Sequence, residues 1–171
     1  MQRTLTAAFL VLACLLTDSR PATSQSPIRF PASGPHAFLV TVQPDWTSNE
    51  DHKHDVMYLL ASGDWAGIFL WIATDPAFVG RPLLYLAHEI HKSGNIKPTG
   101  KEEPAAISGR RGTAFYGVRT NPSGHIRDSR LVIVPMASDT WAVLATITPP
   151  SMTQAQQQSF SRALNNIALT K

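Results

Sequence analysis

The densest group of side chains that could do chemistry is the run Glu50-Asp51-His52-Lys53-His54-Asp55, which holds two imidazoles and three carboxylates. If the segment is extended, alternate side chains share a face, so His52 and His54 would point the same way. With Asp51 or Asp55 they would supply the nitrogen and oxygen ligands that suit zinc or a similar divalent ion. The same composition is typical of a solvated loop, and the sequence places no fourth ligand. The run therefore predicts a candidate metal site at His52, His54, Asp51 and Asp55, and no other cofactor is predicted.

A second histidine-rich segment, His88-Glu89-Ile90-His91, resembles a zinc-protease helix only in part. That motif needs histidines four positions apart with a glutamate directly after the first, and here the spacing is three. The better interpretation is the flank of an amphipathic helix. The chain also lacks a Gly-x-Ser-x-Gly nucleophile elbow. An enzyme is therefore not predicted, although a hydrolase with dispersed carboxylates stays open, because catalytic groups converge in space and not in order.

Four tryptophans are spread over the chain, at positions 46, 65, 71 and 141. Such side chains could line an apolar pocket between a sheet and its helices, or could simply be core. The candidate ligand- or partner-binding residues are Trp46, Trp71 and Trp141.

Residues 1–24 have the three parts of a secretory signal peptide: basic Arg3, an apolar run from Leu5 to Leu16, and small residues before a cut near Ser24. The run is about 12 residues, short of the roughly 20 that span a bilayer, and no later run is longer. We therefore expect a periplasmic or secreted protein without a transmembrane segment. The alternative is a lipid anchor at Cys14, because Val11-Leu12-Ala13-Cys14 resembles a lipoprotein cleavage box. Cys14 is the single cysteine, so no disulfide is expected.

The charge balance argues against nucleic acid as a partner. The net charge of +3 would fall to +2 after cleavage, because residues 1–24 hold two arginines and one aspartate. A nearly neutral chain has no overall field that attracts a polyanion. Five arginines nevertheless gather late in the chain, either as solvated residues or as a patch for a protein partner or an anionic ligand: Arg110, Arg111, Arg119, Arg127 and Arg130.

The hydrophobic pattern predicts an irregular N-terminal arm, residues 25–35, and one α+β domain, residues 36–171. Period-two and short apolar runs bounded by turn residues indicate six strands, at 38–43, 56–61, 67–74, 113–120, 127–136 and 141–148. Helical spacing indicates one helix that begins at Pro82 and ends at a left-handed Gly94, and a second with a capping box at Ser151 and Gln154. Residues 95–104 are expected to be a polar linker. Hairpins with inserted helices favour a largely antiparallel sheet of about six strands packed with two main helices.

Several short segments carry a resemblance to a known family: the strand Phe38–Val42 followed by Pro44–Trp46, the segment Ile107–Gly109, the long strand pair from Arg130 to Ile147, and Ser159-Phe160 on the last helix. With this order of elements, the chain resembles the PsbP-like α-β-α sandwich superfamily, which includes DcrB-type envelope proteins. The resemblance implies a sandwich fold and a binding or assembly role rather than catalysis.

Together these observations predict an exported accessory module. It would bind a protein partner or a small apolar ligand through the sheet face or a groove between helix and sheet. The alternative prediction is a divalent-metal-binding envelope protein that uses His52, His54 and the neighbouring carboxylates.

Overall fold

The computed structural model of the protein describes residues 26–121 and 123–170. The predicted signal peptide, its cleavage near Ser24 and the lipid anchor at Cys14 lie outside the described residues. In the described part of the chain, no helix is long and apolar enough to cross a membrane.

The fold is α+β, with two antiparallel sheets and two helices. The described elements are, in chain order, β1 (Ile28–Phe30), β2 (Phe38–Val40), β3 (Trp46–Asp51), β4 (Val56–Ala61), β5 (Gly67–Thr74), a short 3₁₀ helix (Pro76–Phe78), α1 (Leu83–Ser93), β6 (Lys97–Ile107), β7 (Arg110–Thr120), β8 (Ile126–Ala137), β9 (Thr140–Thr148), α2 (Gln154–Asn165) and β10 (Ile167–Leu169). The main sheet has the strand order β3-β4-β5-β9-β8-β7-β6, and the small sheet has the order β1-β2-β10. The predicted fold class is confirmed.

The centre of the main sheet is apolar on both faces. In β5 and β9 nearly every residue is buried, which is the pattern of strands covered from both sides. One face, here called the helix-1 face, carries a core around Tyr58, Leu131 and Val143 and is covered by α1, which packs on β6, β7 and β8. The other, the helix-2 face, carries a core around Leu59, Val132 and Leu144, which includes residues of α2 and the small sheet. The result is a layered sandwich.

A chain of buried hydrogen bonds ties α2 to the first strand of the main sheet. The indole Nε1 of Trp46 donates to Ser159 Oγ at 2.9 Å, and that hydroxyl donates in turn to the carboxylate of Asp45. Trp46 is only 1% exposed and its ring packs against Phe160 of the helix. Because buried polar groups are costly without partners, this chain fixes where α2 crosses the sheet.

The start of α2 and the end of α1 differ in detail from the prediction. The capping box of α2 consists of Thr153 and Gln156, two residues after the predicted Ser151 and Gln154. Gly94 does follow α1, but its φ is −84°; the left-handed residue is Asn95, at φ 52°. Asparagine tolerates that conformation better than most residues, so glycine was not required there.

The predicted linker over 95–104 is wrong, because residues 97–107 form strand β6. This is an edge strand, bonded only to β7 and interrupted by an irregularity between Pro98 and Glu102. Edge strands commonly carry charges, proline and bulges, which prevent pairing with other chains. The composition that indicated a linker is therefore that of a protected edge.

Three further strands were not predicted. β3 occupies the polar run after Trp46, β1 lies within the arm predicted as irregular, and β10 follows α2. β1 and β10 have three residues each, too few to show a period, and both depend on pairing with β2.

Replacement of Ser159 by alanine is expected to lower the free energy of unfolding by about 1 to 3 kcal/mol, because it leaves the buried indole N–H of Trp46 without an acceptor. Chemical denaturation followed by tryptophan fluorescence measures this. Ser161→Ala, at an exposed position of the same helix, is the matched control. Equal stability of the two variants would contradict the role given to this hydrogen bond.

Candidate functional site

A groove of about 340 Å³ lies on the helix-2 face, between the main sheet and the segment that joins α2 to β10. Its lining comes from the β6–β7 turn, from β8 and β9, and from the end of α2 with β10: Ala106, Ile107, Ser108, Arg130, Val132, Leu144, Leu164, Asn165, Ile167 and Ala168. The volume falls in the range of small-molecule sites, about 300 to 1,000 Å³.

Seven of the ten residues that line the groove are apolar. Val132 and Leu144 are buried neighbours, opposite each other on β8 and β9, and form its floor. Ile107 and Ile167 are buried at its sides, while Leu164 is partly exposed. An apolar part of a ligand would therefore lose water contact against four or five side chains, which is the main source of affinity in such sites.

One wall of the groove, next to the β6–β7 turn, is held in place by hydrogen bonds to Leu169 and Thr170. The backbone N–H of Leu169 donates to Ser108 Oγ at 3.0 Å, and Arg110 Nη2 donates to the carbonyl of Thr170 at 3.3 Å. Ser108 has a φ of 51°, the left-handed conformation that lets the turn reverse. These bonds anchor β10 against the main sheet and set the width of the groove.

Arg130 is the charged residue of the lining, and its position is fixed by a polar network on the same face. Its Nε donates to the hydroxyl of Tyr116 at 3.2 Å. That hydroxyl donates to the carboxylate of Glu103, and the same carboxylate accepts an ion pair from Lys101 at 3.3 Å. In the described part of the chain Arg130 donates a side-chain hydrogen bond through Nε alone, so its other guanidinium N–H groups are left to bind an anionic or polar group of a ligand.

The network changes the acidity of its carboxyl group. The hydrogen bond from Tyr116, followed by that from Lys101, lowers the pKa of Glu103 below its ordinary value. Glu103 is therefore ionised across the neutral range and keeps the tyrosine hydroxyl oriented towards it. The oxygen of that hydroxyl stays free to accept from Arg130.

The structure separates the three tryptophans predicted to bind a ligand. Trp46 lies on the helix-2 face but is enclosed under α2 and does not line the groove. Trp71 and Trp141 lie on the helix-1 face, where the ring of Trp141 packs edge-on against Phe78 at 6.3 Å. Their role in binding stays a prediction.

The residues of the predicted metal site lie in a tight hairpin turn. β3 ends at Asp51 and β4 begins at Val56, and Asp55 takes a left-handed φ of 52°. His54 Nδ1 lies 2.6 Å from Asp51, whereas His52 is 85% exposed and lies 3.7 Å from Glu50. The turn thus directs the two histidines to different carboxylates. Within residues 26–121 and 123–170, no three histidine, cysteine or acidic side chains gather closely enough to hold a metal ion, and the metal site stays a prediction.

Sequence reasoning missed the groove, although it noted the late arginines that include Arg130. The groove is lined by short segments from five elements, and no spacing in the sequence brings these together. The alternation of Arg130 with buried Val132 and Val134 was the available signal, because it places an arginine on an otherwise apolar face.

Comparisons with known proteins show the fold. No protein-family model matches the chain, and no curated protein sequence matches it. The solved structure of LpqN from Mycobacterium tuberculosis, described as involved in cell envelope biogenesis, is similar with a TM-score of 0.52 at 14% identity, over 85% of this chain and 90% of LpqN. A Bacteroides thetaiotaomicron protein is similar over 78% of this chain, with a TM-score of 0.51 at 11% identity. The match spans only 45% of that protein. The PsbP-like resemblance stays a prediction.

Replacement of Tyr116 by phenylalanine is expected to raise the pKa of Glu103 towards the ordinary value of 4.5 for a glutamate, because the hydrogen bond that favours the carboxylate is lost. Since the folded-state pKa is lowered, the stabilisation from Glu103 is present above the unfolded pKa and is lost as the pH falls through the folded value. Carboxyl NMR titration of Glu103 measures the change. Tyr85→Phe, on α1, should leave the titration unaltered, and an unchanged Glu103 curve in the Tyr116 variant would contradict the network.

Proposed function

We propose that this chain is an exported accessory protein of the cell envelope that holds a small amphipathic ligand in the groove beside α2. The ligand has an apolar body, which packs on Val132 and Leu144, and a negatively charged or strongly polar end, which binds Arg130. The observation that carries the proposal is a groove of about 340 Å³ with an apolar floor and one oriented arginine in its lining.

The extracytoplasmic location rests on two supports. The first 24 residues have the pattern of a secretory signal. The fold resembles that of LpqN, a protein involved in cell envelope biogenesis. Neither support names a ligand, so the chemistry of the groove alone defines the ligand class.

Blocking the groove is expected to abolish binding of decanoate, a probe with an apolar chain and one carboxylate. Leu164 lines the groove, packs against the core of the helix-2 face and is partly exposed, so Leu164→Trp places a larger side chain in this space. Isothermal titration of decanoate into the purified protein measures the affinity. Ala155→Trp, at an exposed position of α2 outside the lining, is the matched control. Decanoate binding of equal strength in both variants, or no binding by the unaltered protein, would contradict the proposed site.

Replacement of Arg130 by glutamine should weaken decanoate binding about tenfold, since a charge-assisted hydrogen bond contributes about 1.5 to 3 kcal/mol and glutamine restores part of it. Binding of decanol, which has the same chain without the charge, should change much less. Arg111→Gln, at an exposed position on β7, controls for the loss of one positive charge. An equal loss with decanol would show that the arginine acts through packing and not as the partner of an anion.

A further inference from the structure

Three buried polar atoms on the helix-1 face have no hydrogen-bond partner among the residues that the structure describes, and their residues lie on or next to strands β7 and β8. They are His91 Nε2, Ser129 Oγ and Arg119 Nη1. His91 and Ser129 are each 2% exposed. Buried groups without a partner are rare in folded proteins, because each has lost its hydrogen bonds to water without replacement. A group of three is therefore a candidate binding site for a ligand with acceptor atoms.

The sheet register brings these groups together. Gly117 on β7 stands directly opposite Ser129 on β8, and Arg119 stands opposite Arg127 one step further along the same face. A Cβ at Gly117 would lie 3.6 Å from His91 Cε1, so the imidazole at the end of α1 lies over this glycine. The same Cβ would lie 2.4 Å from Ile96, so only glycine allows the helix end to approach the sheet here.

The pairing of Arg119 with Arg127 is unfavourable as it stands. Like charges directly opposite each other on neighbouring strands repel, because their side chains share one face at short range. Among the residues that the structure describes, no carboxylate lies within ion-pair distance of either arginine. Burial also lowers the pKa of Arg119, as expected for a guanidinium that has lost water and gained no counter-charge. An anion between the two side chains would remove this repulsion.

We propose that His91, Arg119, Arg127 and Ser129 form a binding site for a phosphate group, on the face of the sheet opposite the groove. Two guanidinium groups supply planar forks of N–H donors, Ser129 supplies a hydroxyl donor, and His91 supplies its ring N–H. A carboxylate has two oxygens and is satisfied by a single arginine fork. A phosphate offers more acceptor oxygens and matches the larger number of donors.

The surroundings of the site allow two sources of the phosphate. Arg119 and Arg127 are partly exposed, so inorganic phosphate can contact the two arginines from solvent. Ser129 also stands opposite Ile147 of β9, which stands opposite Gly67 of β5 under the ring of Phe69. The polar site thus borders the apolar core of the helix-1 face. The phosphate group of an amphipathic phosphomonoester would fit the same donors, with the hydrocarbon chain of the ligand packed against this apolar core.

Titration calorimetry of the purified exported protein tests the site, with inorganic phosphate as the probe and acetate at equal ionic strength as the comparison. We expect phosphate to bind and acetate not to bind. Arg119→Gln should weaken phosphate binding at least about tenfold, because it removes the fork and its charge. Arg111→Gln, on the same strand but exposed, should leave the affinity unchanged. No phosphate binding by the unaltered protein, or equal affinities in the two variants, would overturn the proposal.

Ser129→Ala separates binding from folding. It removes a buried hydroxyl that has no partner, so stability should be kept or increased. We expect it to weaken phosphate binding about threefold or more, since one hydrogen bond is lost, with an unchanged near-ultraviolet spectrum. Undiminished phosphate binding in this variant would remove Ser129 from the site and overturn the proposal as stated.

Dodecyl phosphate, kept below its micelle concentration, distinguishes the sources. An affinity at least about tenfold above that of inorganic phosphate, again lowered by Arg119→Gln, assigns the site to a phosphorylated amphiphile. An affinity equal to that of inorganic phosphate assigns it to the free ion. Since decanoate and the Leu164 variant report on the other face of the sheet, failure of either proposal leaves the other standing.

Discussion

The main sheet is apolar on both faces, and the positions of the other elements follow from this. The central strands β5 and β9 bury almost every side chain, so each face needs its own cover. α1 covers part of one face, and α2 with the three-stranded sheet covers part of the other. Because burial of apolar surface is the main stabilising contribution, these two covers determine the positions of the helices.

The cover formed by α2 and the three-stranded sheet is attached to the main sheet at two separate places, and the groove lies between them. At one end, the bonds among Trp46, Ser159 and Asp45 hold α2 close to the sheet. At the other end the chain turns into β10, which is anchored to the β6–β7 turn through Ser108. Between these two attachments the helix end stands away from β8 and β9, and the space left over Val132 and Leu144 is the groove.

Strand β8 connects the groove and the proposed phosphate site through its alternation. Arg130 faces α2, whereas Arg127 and Ser129 face the side of α1. One short segment therefore supplies polar groups to both faces of a sheet whose centre is apolar. The two sites differ in how these groups are satisfied. Arg130 is oriented by Tyr116, while Ser129 Oγ and Arg119 Nη1 lack partners among the described residues.

Local patterns in the sequence were enough to predict the α+β class, the strands β4, β5, β7, β8 and β9, and both helices, because period-two and helical spacing are local. The late cluster of arginines was visible in the same way. The other features depend on contacts between distant residues. Lys97–Ile107 is a strand because it has β7 to pair with, and the three-residue strands exist only through β2. Both candidate sites gather residues from distant elements, and the face on which an arginine lies depends on strand register. No sequence pattern marks residues that come together from distant elements, so these sites could be identified only from the folded structure.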